Sequence, residues 1–298
     1  MFLKSLNTFI EIASQKPKKK IVVAAAEDEP VMEAVFAASK DGIVAPILIG
    51  DKNKIEYVAK NINFSLKNIE IIEEKIPAIA CKKAVELIRQ NKAHILMKGL
   101  VGTADFLKAV LDKENGLRNG NLLSHIGFFE TSYYHKLLAV TDAAQNIAPT
   151  LEEKVSIIEN SIDLFHRLGI DTPKIAVIGA VETISPKMIT TIDAALLTMM
   201  NKRKQIIGCI IDGPLAFDNA VSLEAAKHKG IVSEVSGDVD LLLAPDIEAG
   251  NILYKSLTYF GGATVAALIL GATVPIVLTS RSDSERSKLM SIALAASY

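Results

Sequence analysis

Short apolar runs alternate with longer amphipathic segments along almost the whole chain, and this alternation limits the folds that the chain can adopt. Many of the runs are continuous and rich in β-branched residues, which is typical of strands covered on both faces. The predicted strands are 21–24, 46–49, 69–72, 94–97, 126–129, 136–140, 174–178, 206–210, 239–243 and 275–278. Strands that alternate with helices favour a mostly parallel sheet, so we expect an α/β fold.

The sequence also marks the starts of two helices between these strands. Thr150 and Glu153 form a capping box, and apolar residues then repeat at helical spacing until Gly169. Ser185 and Pro186 predict the start of the next helix, with an N-cap residue followed by a proline at the first helical position.

The length of the chain is compatible with two domains. Its 298 residues, 50% of them hydrophobic, are enough to build two substantial cores. A polar break at 131–135 between two apolar runs predicts a boundary there. We expect a first α/β domain of residues 1–133 plus 281–298, made discontinuous by the return of the last helix, and a second α/β domain of residues 134–280.

Composition argues against several classes of function. The net charge of −1, with charged residues interspersed, provides no electrostatic surface for nucleic acid. Cys81 and Cys209 lie far apart in apolar surroundings and are interpreted as reduced core thiols of a cytoplasmic protein. The N-terminus lacks the order of a signal peptide, and the apolar stretch 263–277 is interrupted by Gly271 and Pro275, so we expect no membrane segment.

The common nucleotide and metal signatures are absent from the sequence. There is no Gly-x-Gly-x-x-Gly, no P-loop and no Gly-x-Ser-x-Gly motif. The five histidines show no metal-ligand spacing with one another or with cysteine, so we expect no metal site. His125 is the histidine of most interest, because Ser124 and His125 open a predicted strand near the domain boundary.

Four polar segments stand out because each follows an apolar run. They are 97–103, 212–220, 245–251 and the turn 279–288. The last holds Arg281 and Arg286, two of only six arginines, among hydroxyl groups at the start of a helix, where free amides and the helix dipole favour a phosphate. Ligands bind at the carboxyl ends of parallel strands, so the four segments are expected to face one cleft.

Each segment also has a purely structural interpretation. The Asp-Gly-Pro sequence at 212–214 is a common turn, and the residues 249–251 can simply begin a helix. Ser282 and Glu285 have the spacing of a capping box. Their shared position after strands is what favours function.

Together the four segments resemble the phosphate acetyl/butyryltransferase family. The resemblance rests on 97–100, 212–220, 245–255 and 280–284, in that order, and covers nearly the whole chain. Lys98-Gly99 and the turn 280–284 are more similar to the butyryl branch than to the acetyl branch. The resemblance implies two α/β domains with mostly parallel sheets and a cleft between them, in the arrangement of isocitrate/isopropylmalate dehydrogenases, and a homodimer or higher homo-oligomer joined through the second domain.

The resemblance further implies an enzyme that transfers a short acyl group, butyryl rather than acetyl, reversibly between coenzyme A and inorganic phosphate. Its partners would be acyl-CoA, phosphate and acyl phosphate, with coenzyme A as substrate or product and with no cofactor. The thiol or thiolate would attack directly, without a covalent acyl-enzyme.

Roles for site residues follow from the same resemblance. Arg281 is expected to bind phosphate through both guanidinium branches, and Ser280 to form a hydrogen bond near the thiol sulfur or the carbonyl oxygen. An aspartate that receives the thiol proton in the acetyl branch corresponds to Ser287 here, which leaves Asp283 and Glu285 as candidate bases. The other candidates for substrate binding are Lys98, Gly99, Ser124, His125, Asp212, Phe217, Asp246, Asn251, Ser282 and Ser284.

Three alternatives remain open from the residues alone. Acetyl can replace butyryl, because a hydrophobic pocket discriminates by only about 1–3 kcal/mol per methylene. Asp212, Asp218 and Asp246 can be interpreted as the metal ligands of a 2-hydroxyacid dehydrogenase. The third alternative is a regulator that binds coenzyme A without catalysis, against which the intact Ser280 and Arg281 argue.

Overall fold

Residues 3–280 and 283–298 are described by the computed structural model of the chain. The backbone divides into two compact units. The terminal unit comprises Asn7–Asn121 and Ala266–Tyr298, and the central unit comprises Leu122–Val265 with the N-terminal residues as far as Leu6. Both divisions come earlier in the chain than the predicted boundaries after residues 133 and 280.

Strands and helices alternate through both units, as the apolar pattern predicts. In chain order the elements are α1 (Asn7–Ser14), β1 (Lys19–Ala24), α2 (Glu29–Lys40), β2 (Val44–Gly50), α3 (Lys52–Asn61), β3 (Glu70–Glu73), α4 (Pro77–Arg89), β4 (Ile95–Lys98), α5 (Thr103–Val110), β5 (Ser124–Glu130), β6 (Leu138–Thr141), α6 (Leu151–Arg167), β7 (Lys174–Gly179), α7 (Ile189–Lys202), β8 (Ile210–Ala216), α8 (Phe217–Val221), α9 (Leu223–His228), β9 (Leu241–Leu243), α10 (Ile247–Tyr259), β10 (Thr264–Leu270), β11 (Ile276–Val277) and α11 (Glu285–Ser297).

The strands of the terminal unit follow the order β3-β2-β1-β4-β11-β10. All neighbours are parallel except the pair β10 and β11. Val277 of β11 pairs with Met97 of β4, so the two strands end side by side. The segments that follow them therefore begin at the same edge of the sheet, as the sequence predicts.

The strands of the central unit follow the order β5-β6-β9-β7-β8, and only β5 and β6 are antiparallel. Ile126 of β5 pairs with Thr141, the last residue of β6. Because β5 runs in the opposite direction, its first residues, Ser124 and His125, lie at the edge where the parallel strands end.

One predicted helix start is confirmed and the other is wrong. Thr150 Oγ1 accepts a hydrogen bond from the Glu153 amide at 3.3 Å, and the Glu153 carboxylate accepts one from the Thr150 amide at 2.8 Å, which completes the capping box. In contrast, α7 begins at Ile189 and not at Ser185. Thr191 Oγ1 accepts the Ser185 amide at 2.9 Å and donates to its carbonyl at 3.1 Å, and these bonds hold Ser185 in a turn before the helix.

Three further regions differ from the prediction. The predicted strand 206–210 lies almost wholly before β8, which begins at Ile210. The interpretation of 212–214 as a turn is wrong, because these residues lie within β8. A proline is tolerated there since β8 is an edge strand in its unit, and a shift in its register with β7 accommodates the Gly-Pro pair. The apolar stretch 263–277 contains β10 in addition to β11, and β10 was not predicted.

The interior agrees with the expectation for the cysteines. Cys81 and Cys209 are free and buried, and burial raises the pKa of their thiols to about 11 and about 12, respectively. Both therefore behave as small apolar core residues. Within the described ranges, no helix is long and apolar enough to cross a membrane.

Candidate active site

A pocket in the terminal unit lies where the chain leaves β4 and β11, and its volume is about 370 Å³. It is lined by the end of β4 and the loop after it, the segment after β11, the residues around the start of α2, and one residue of α11. The lining residues are Lys98, Gly99, Leu100, Thr279, Ser280, Glu27, Asp28, Glu29, Pro30, Val31 and Lys288. Three predicted site residues, Lys98, Gly99 and Ser280, thus meet in one pocket.

Lys98 is the last residue of β4, and only 8% of its surface is exposed. Its Nζ donates to the carbonyl oxygens of Gly99 at 3.2 Å and Val101 at 3.1 Å. A buried ammonium group is costly unless its hydrogen bonds are satisfied, so these carbonyls stabilise the charge and the charge in turn holds the loop. Lys98 therefore brings a fixed positive charge to the pocket wall.

Gly99 is required because two loops approach closely. The Gly99 amide donates to the Ala24 carbonyl at 2.9 Å, and the Leu100 amide donates to the Ala25 carbonyl at 2.7 Å. A Cβ atom at position 99 would lie 2.1 Å from the Ala25 carbonyl oxygen, which is backbone and cannot rotate away. The glycine thus allows the segment after β1 to pack against the segment after β4.

The turn after β11 is shaped by two of the predicted site residues. The Asp283 carboxylate accepts a hydrogen bond from the Ser280 amide at 2.7 Å, and the Asp283 amide donates to the Ser280 carbonyl at 3.2 Å. Ser284 is the N-cap of α11, and its Oγ accepts from the Ser287 amide at 3.1 Å. Arg281 and Ser282, the other predicted residues of this turn, lie outside the described residues.

Glu285, the second candidate base, is the first residue of α11 and lies beside Glu33 of α2. Burial, followed by the charge of Glu285 and a hydrogen bond with it, raises the pKa of Glu33 above its usual value. Neither glutamate is among the residues that line the pocket in the described part of the chain. Glu285 therefore belongs to a pair of carboxyl groups at the start of the helix.

Two lining residues were missed by the sequence analysis. Lys288 is only 3% exposed, and its Nζ donates to the Asp283 carbonyl. Burial raises the pKa of Glu27, whose Oε2 is buried and has no hydrogen-bond partner among residues 3–280 and 283–298. Glu27 stands in a charged stretch typical of solvated surface. Lys288 ends the polar turn 279–288, but nothing in the sequence singled it out within that turn.

In the central unit, Asp142 organises the edge at which Ser124 and His125 lie. Its carboxylate accepts the His125 amide at 3.1 Å and the Asn146 side-chain amide at 2.6 Å. The other carboxylate oxygen accepts the amides of Ala144 and Gln145 at 2.8 and 2.9 Å. Asp142 was also missed, and its position directly after a buried strand is the signal that pointed to it.

Ser124 and His125 are buried within this edge. Ser124 Oγ accepts a hydrogen bond from the Asn160 side-chain amide at 3.0 Å. The His125 ring lies 5.7 Å from the Tyr254 ring, centroid to centroid, at an angle of 57°. These contacts fix both side chains against helices that pack on the sheet.

Two further predicted residues, Asn251 and Asp246, lie within α10 and at its N-cap. Asn251 donates from its side-chain amide to the Ala143 carbonyl at 3.0 Å, next to Asp142. Asp246 is the N-cap of α10 and accepts the Ala249 amide at 2.8 Å. The structural interpretation of 249–251 as part of a helix start is therefore correct, and Asn251 additionally ties that helix to the segment after β6.

The remaining predicted residues, Asp212 and Phe217, are not brought next to Ser124 and His125. They lie on β8 and at the start of α8, and three strands separate β8 from β5. The Asp212 carboxylate accepts the adjacent Gly213 amide at 2.9 Å, and Phe217 is partly exposed.

The three aspartates considered as metal ligands have separate environments. A hydrogen bond from the Asn219 amide, followed by one from Lys229, holds the pKa of Asp218 below its usual value, and Lys229 also forms an ion pair with Asp218 at 3.2 Å. Asp246 caps a helix, and Asp212 lies within a strand. In the part of the chain that the structure describes, no three His, Cys, Asp or Glu side chains are grouped to hold a metal ion.

The chain is similar to known proteins over nearly its whole length. The family model described as "Phosphate acetyl/butaryl transferase" matches residues 5–78 and 74–296. The phosphate butyryltransferase of Clostridium acetobutylicum is 49% identical over 99% of this chain and 98% of that protein. The phosphate acetyltransferase of Thermotoga maritima is 45% identical over 100% of both chains.

Solved structures agree with this relationship. The branched-chain phosphotransacylase from Enterococcus faecalis matches with a TM-score of 0.83 and 35% identity, covering 94% of this chain and 98% of that one. A 4-hydroxythreonine-4-phosphate dehydrogenase from Burkholderia phymatum matches with a TM-score of 0.56 and 16% identity over 95% and 98% of the two chains, which shows a shared fold. The predicted mostly parallel, dehydrogenase-like α/β fold is confirmed, and the chain belongs to the phosphate acetyl/butyryl transferase family of acyltransferases.

Proposed function

We propose that this chain transfers a short acyl group, with butyryl preferred, reversibly between coenzyme A and inorganic phosphate. The observation that carries the proposal is the pocket in which Lys98, Gly99 and Ser280 meet, in a chain that belongs to this family over nearly its full length. Purified protein should release free thiol from butyryl-CoA only when phosphate is added. Release that is absent, or equally fast without phosphate, would overturn the proposal.

Catalysis of this reaction depends more on positioning the substrates and stabilising charge than on a strong base. A phosphate oxygen attacks the thioester carbonyl carbon, the carbon–sulfur bond breaks, and coenzyme A leaves as a thiolate that takes up a proton. In reverse, the thiol loses its proton, the sulfur attacks the carbonyl carbon of acyl phosphate, and the bond from that carbon to phosphate oxygen breaks. A thiol has a pKa near 8.5, so a useful fraction is ionised at slightly alkaline pH.

Most of the rate acceleration comes from holding the two anionic substrates together. Orientation contributes at best about 7–11 kcal/mol to lowering the barrier, and fixed positive groups stabilise charge on the tetrahedral intermediate. The Lys98 ammonium, the Ser280 hydroxyl and the first turn of α11 are suited to that task. No covalent intermediate on the protein is needed, since both nucleophiles belong to the substrates.

Arg281 is proposed to bind phosphate through its planar guanidinium group, because its neighbour Ser280 lines the pocket. Arg281→Lys keeps the charge but loses the paired hydrogen bonds, so the Michaelis constant for phosphate should rise sharply. Initial rates at varied phosphate and saturating butyryl-CoA measure this. An unchanged constant and rate would remove Arg281 from the site.

Asp283 or Glu285 is proposed to accept the thiol proton in the reverse direction. Asp283 lies nearer to the pocket, because its carboxylate bonds to the amide of Ser280. Asp283→Asn and Glu285→Gln should be compared between about pH 6 and pH 9, where thiol ionisation changes. The base is the residue whose replacement lowers the reverse rate most at the acidic end, and full rates for both variants would exclude both.

Ser124, His125, Asp246 and Asn251 are proposed to contact the substrates from the central unit. Their support is that three of them lie at one sheet edge around Asp142 and its neighbour Ala143. Asp212 and Phe217 remain candidates from β8 and α8. An alanine replacement that raises the Michaelis constant for acyl-CoA without lowering the melting temperature would support each assignment.

Acetyl transfer is the second candidate, since relatives named for both chain lengths match this chain over nearly its full length. A series of acyl-CoA substrates from acetyl to hexanoyl decides between them. Butyryl has two methylenes more than acetyl, and each is worth about 1–3 kcal/mol in a fitted pocket, so the ratio of kcat/KM between butyryl and acetyl should be roughly 30-fold or more.

We also propose a cytoplasmic homodimer formed through the central unit. The support is a row of exposed apolar side chains on and after α10, namely Ile252, Tyr259 and Phe260. Phe260→Asp combined with Tyr259→Ser should shift the mass in sedimentation equilibrium to that of a monomer. An unchanged mass would place the interface elsewhere.

A further inference from the structure

Lys288 is a buried cation that the chemistry outlined above leaves unused. It lies one turn into α11, is only 3% exposed, and lines the same pocket as Lys98 and Ser280. Lysine is almost never fully buried unless it is paired. Its burial inside a substrate pocket therefore needs an explanation.

The described partner of Lys288 is a carbonyl group and not a carboxylate. Its Nζ donates to the Asp283 carbonyl, and among the ion pairs formed within residues 3–280 and 283–298 none includes Lys288. A carbonyl dipole offsets only part of the cost of desolvating an ammonium group. The remaining stabilisation of the ammonium group must come from solvent or from a ligand.

The acidic residues of the pocket do not take this role. Asp28 caps α2 and accepts the Val31 amide at 3.2 Å. Burial raises the pKa of Glu27, and the cation that partly opposes this shift is Lys54. Glu29 is exposed at the start of α2. The pocket thus keeps the charge of Lys288 available.

Lys98 supplies a second buried ammonium group in the same pocket. It arrives from the end of β4, whereas Lys288 arrives from α11, so two separate elements each place a cation there. Phosphate oxyanions carry close to two negative charges near neutral pH, and compact ammonium groups bind them as point charges. Two ammonium groups in one pocket therefore suit an anion of this charge.

We propose that Lys288 is a further phosphate-binding residue, which with Lys98 neutralises the phosphate group of the substrate or product. This inference rests on the proposed function for the identity of the anion. Lys288 also joins the bound anion to the Asp283 carbonyl, so phosphate binding and the geometry of the turn after β11 are linked through one side chain. When acyl phosphate reacts, the same ammonium stabilises the departing phosphate.

Two replacements separate binding from positioning. Lys288→Met removes the charge and the donor, whereas Lys288→Gln removes the charge but retains an N–H donor able to reach a carbonyl. If Lys288 binds phosphate, both variants should bind inorganic phosphate about 10- to 100-fold more weakly, as expected for loss of a hydrogen bond to a charged group. If Lys288 only positions the turn, Lys288→Gln should bind phosphate like the unmodified protein, which would overturn the inference.

Isothermal titration with inorganic phosphate is the primary measurement, because it needs no turnover. Lys154→Met is the matched control, since Lys154 is equally buried but is paired with Asp193 at 2.6 Å in the central unit. That control should lose stability and keep its phosphate affinity. If Lys288→Met fails to fold, the Lys288→Gln titration still decides.

Kinetic constants distinguish failure of this inference from failure of the proposed function. Both Lys288 variants should raise the Michaelis constant for phosphate and leave that for butyryl-CoA within about twofold. If the unmodified protein binds phosphate but shows no phosphate-dependent thiol release, the proposed function fails while the titration still tests Lys288. If the unmodified protein is active and both variants keep their phosphate affinity, only the role of Lys288 is overturned.

Discussion

Replacing Gly99 with alanine should damage catalysis far more than its size suggests. The new Cβ would lie 2.1 Å from the Ala25 carbonyl oxygen and 2.9 Å from the Ala24 carbonyl oxygen. Non-bonded carbon and oxygen atoms require about 3.3 Å, so the two loops must separate by about 1.2 Å. The movement acts directly on Lys98, the preceding residue in the pocket wall.

The expected effects follow from that displacement. A misplacement of about 1 Å in a catalytic site can cost on the order of 100-fold in rate, so kcat/KM of Gly99→Ala should fall by 10- to 100-fold on that scale. Forcing the loops apart should also lower the free energy of unfolding by about 1–3 kcal/mol. Thiol release from butyryl-CoA at saturating phosphate gives the first quantity, and urea denaturation gives the second.

Gly102→Ala is the matched control, three residues further along the same loop. Its Cβ would lie 3.6 Å from the nearest atom, a carboxylate oxygen of Asp105, which is ordinary contact. Gly102 is the N-cap of α5, so alanine there costs up to about 1 kcal/mol of stability without moving Lys98. A kcat/KM for Gly99→Ala within twofold of the unmodified protein, or an equal loss in Gly102→Ala, would refute the reasoning.

Three further predictions concern charges that are buried or shifted. Lys154 and Asp193 form a buried ion pair, so Asp193→Ala should lower the free energy of unfolding, measured by urea denaturation, by about 3–5 kcal/mol. Replacing Lys154 with Met and Asp193 with Leu together should lower it much less. Equal losses in the two variants would contradict this. Burial raises the pKa of Asp238, but hydrogen bonds from Lys174, Lys136 and His135 outweigh burial and hold this pKa well below its usual range. The stabilisation that this lowered pKa provides is present at neutral pH and is lost as the pH falls below about 4. The Tm of the unmodified protein should therefore fall more steeply on acidification than the Tm of Asp238→Asn. Parallel curves of Tm against pH for the two proteins would argue against this. Burial raises the pKa of Glu27, so ionisation of its carboxyl group destabilises the fold as the pH rises. Glu27→Gln should therefore raise Tm more at about pH 8 than at about pH 4. A Tm that is lowered at both pH values would contradict this.

The alternation of strands and helices could be predicted because its signals are local. The continuous apolar run of β1 and the capping box at Thr150 depend on neighbours within a few residues, and both appear in the structure as expected. Ser185 carries an equally good local signal, yet its backbone groups are taken by Thr191. A local preference is overridden wherever a side chain from the next turn offers a better partner.

Part of the candidate site could be predicted for a topological reason. Lys98 and Ser280 follow strands that the sheet makes neighbours, so residues that are distant in sequence meet at one edge. The burial of Lys288 and Glu27 could not be predicted, because it depends on tertiary packing. The helix α11, which carries Lys288, packs on α2, and the carboxyl group of Glu27 lies near Asp51 in the segment after β2. In sequence, a lysine within a run of serines and charges is indistinguishable from a solvated one.

The position of bound phosphate tests the central claim most directly. Crystals of the protein should be grown with arsenate, a phosphate analogue whose arsenic atom can be located by anomalous scattering. We expect arsenic density in the pocket of the terminal unit, with arsenate oxygens within about 3 Å of Lys98 Nζ and Ser280 Oγ. Full-occupancy arsenate elsewhere, with that pocket holding only water, would contradict the account.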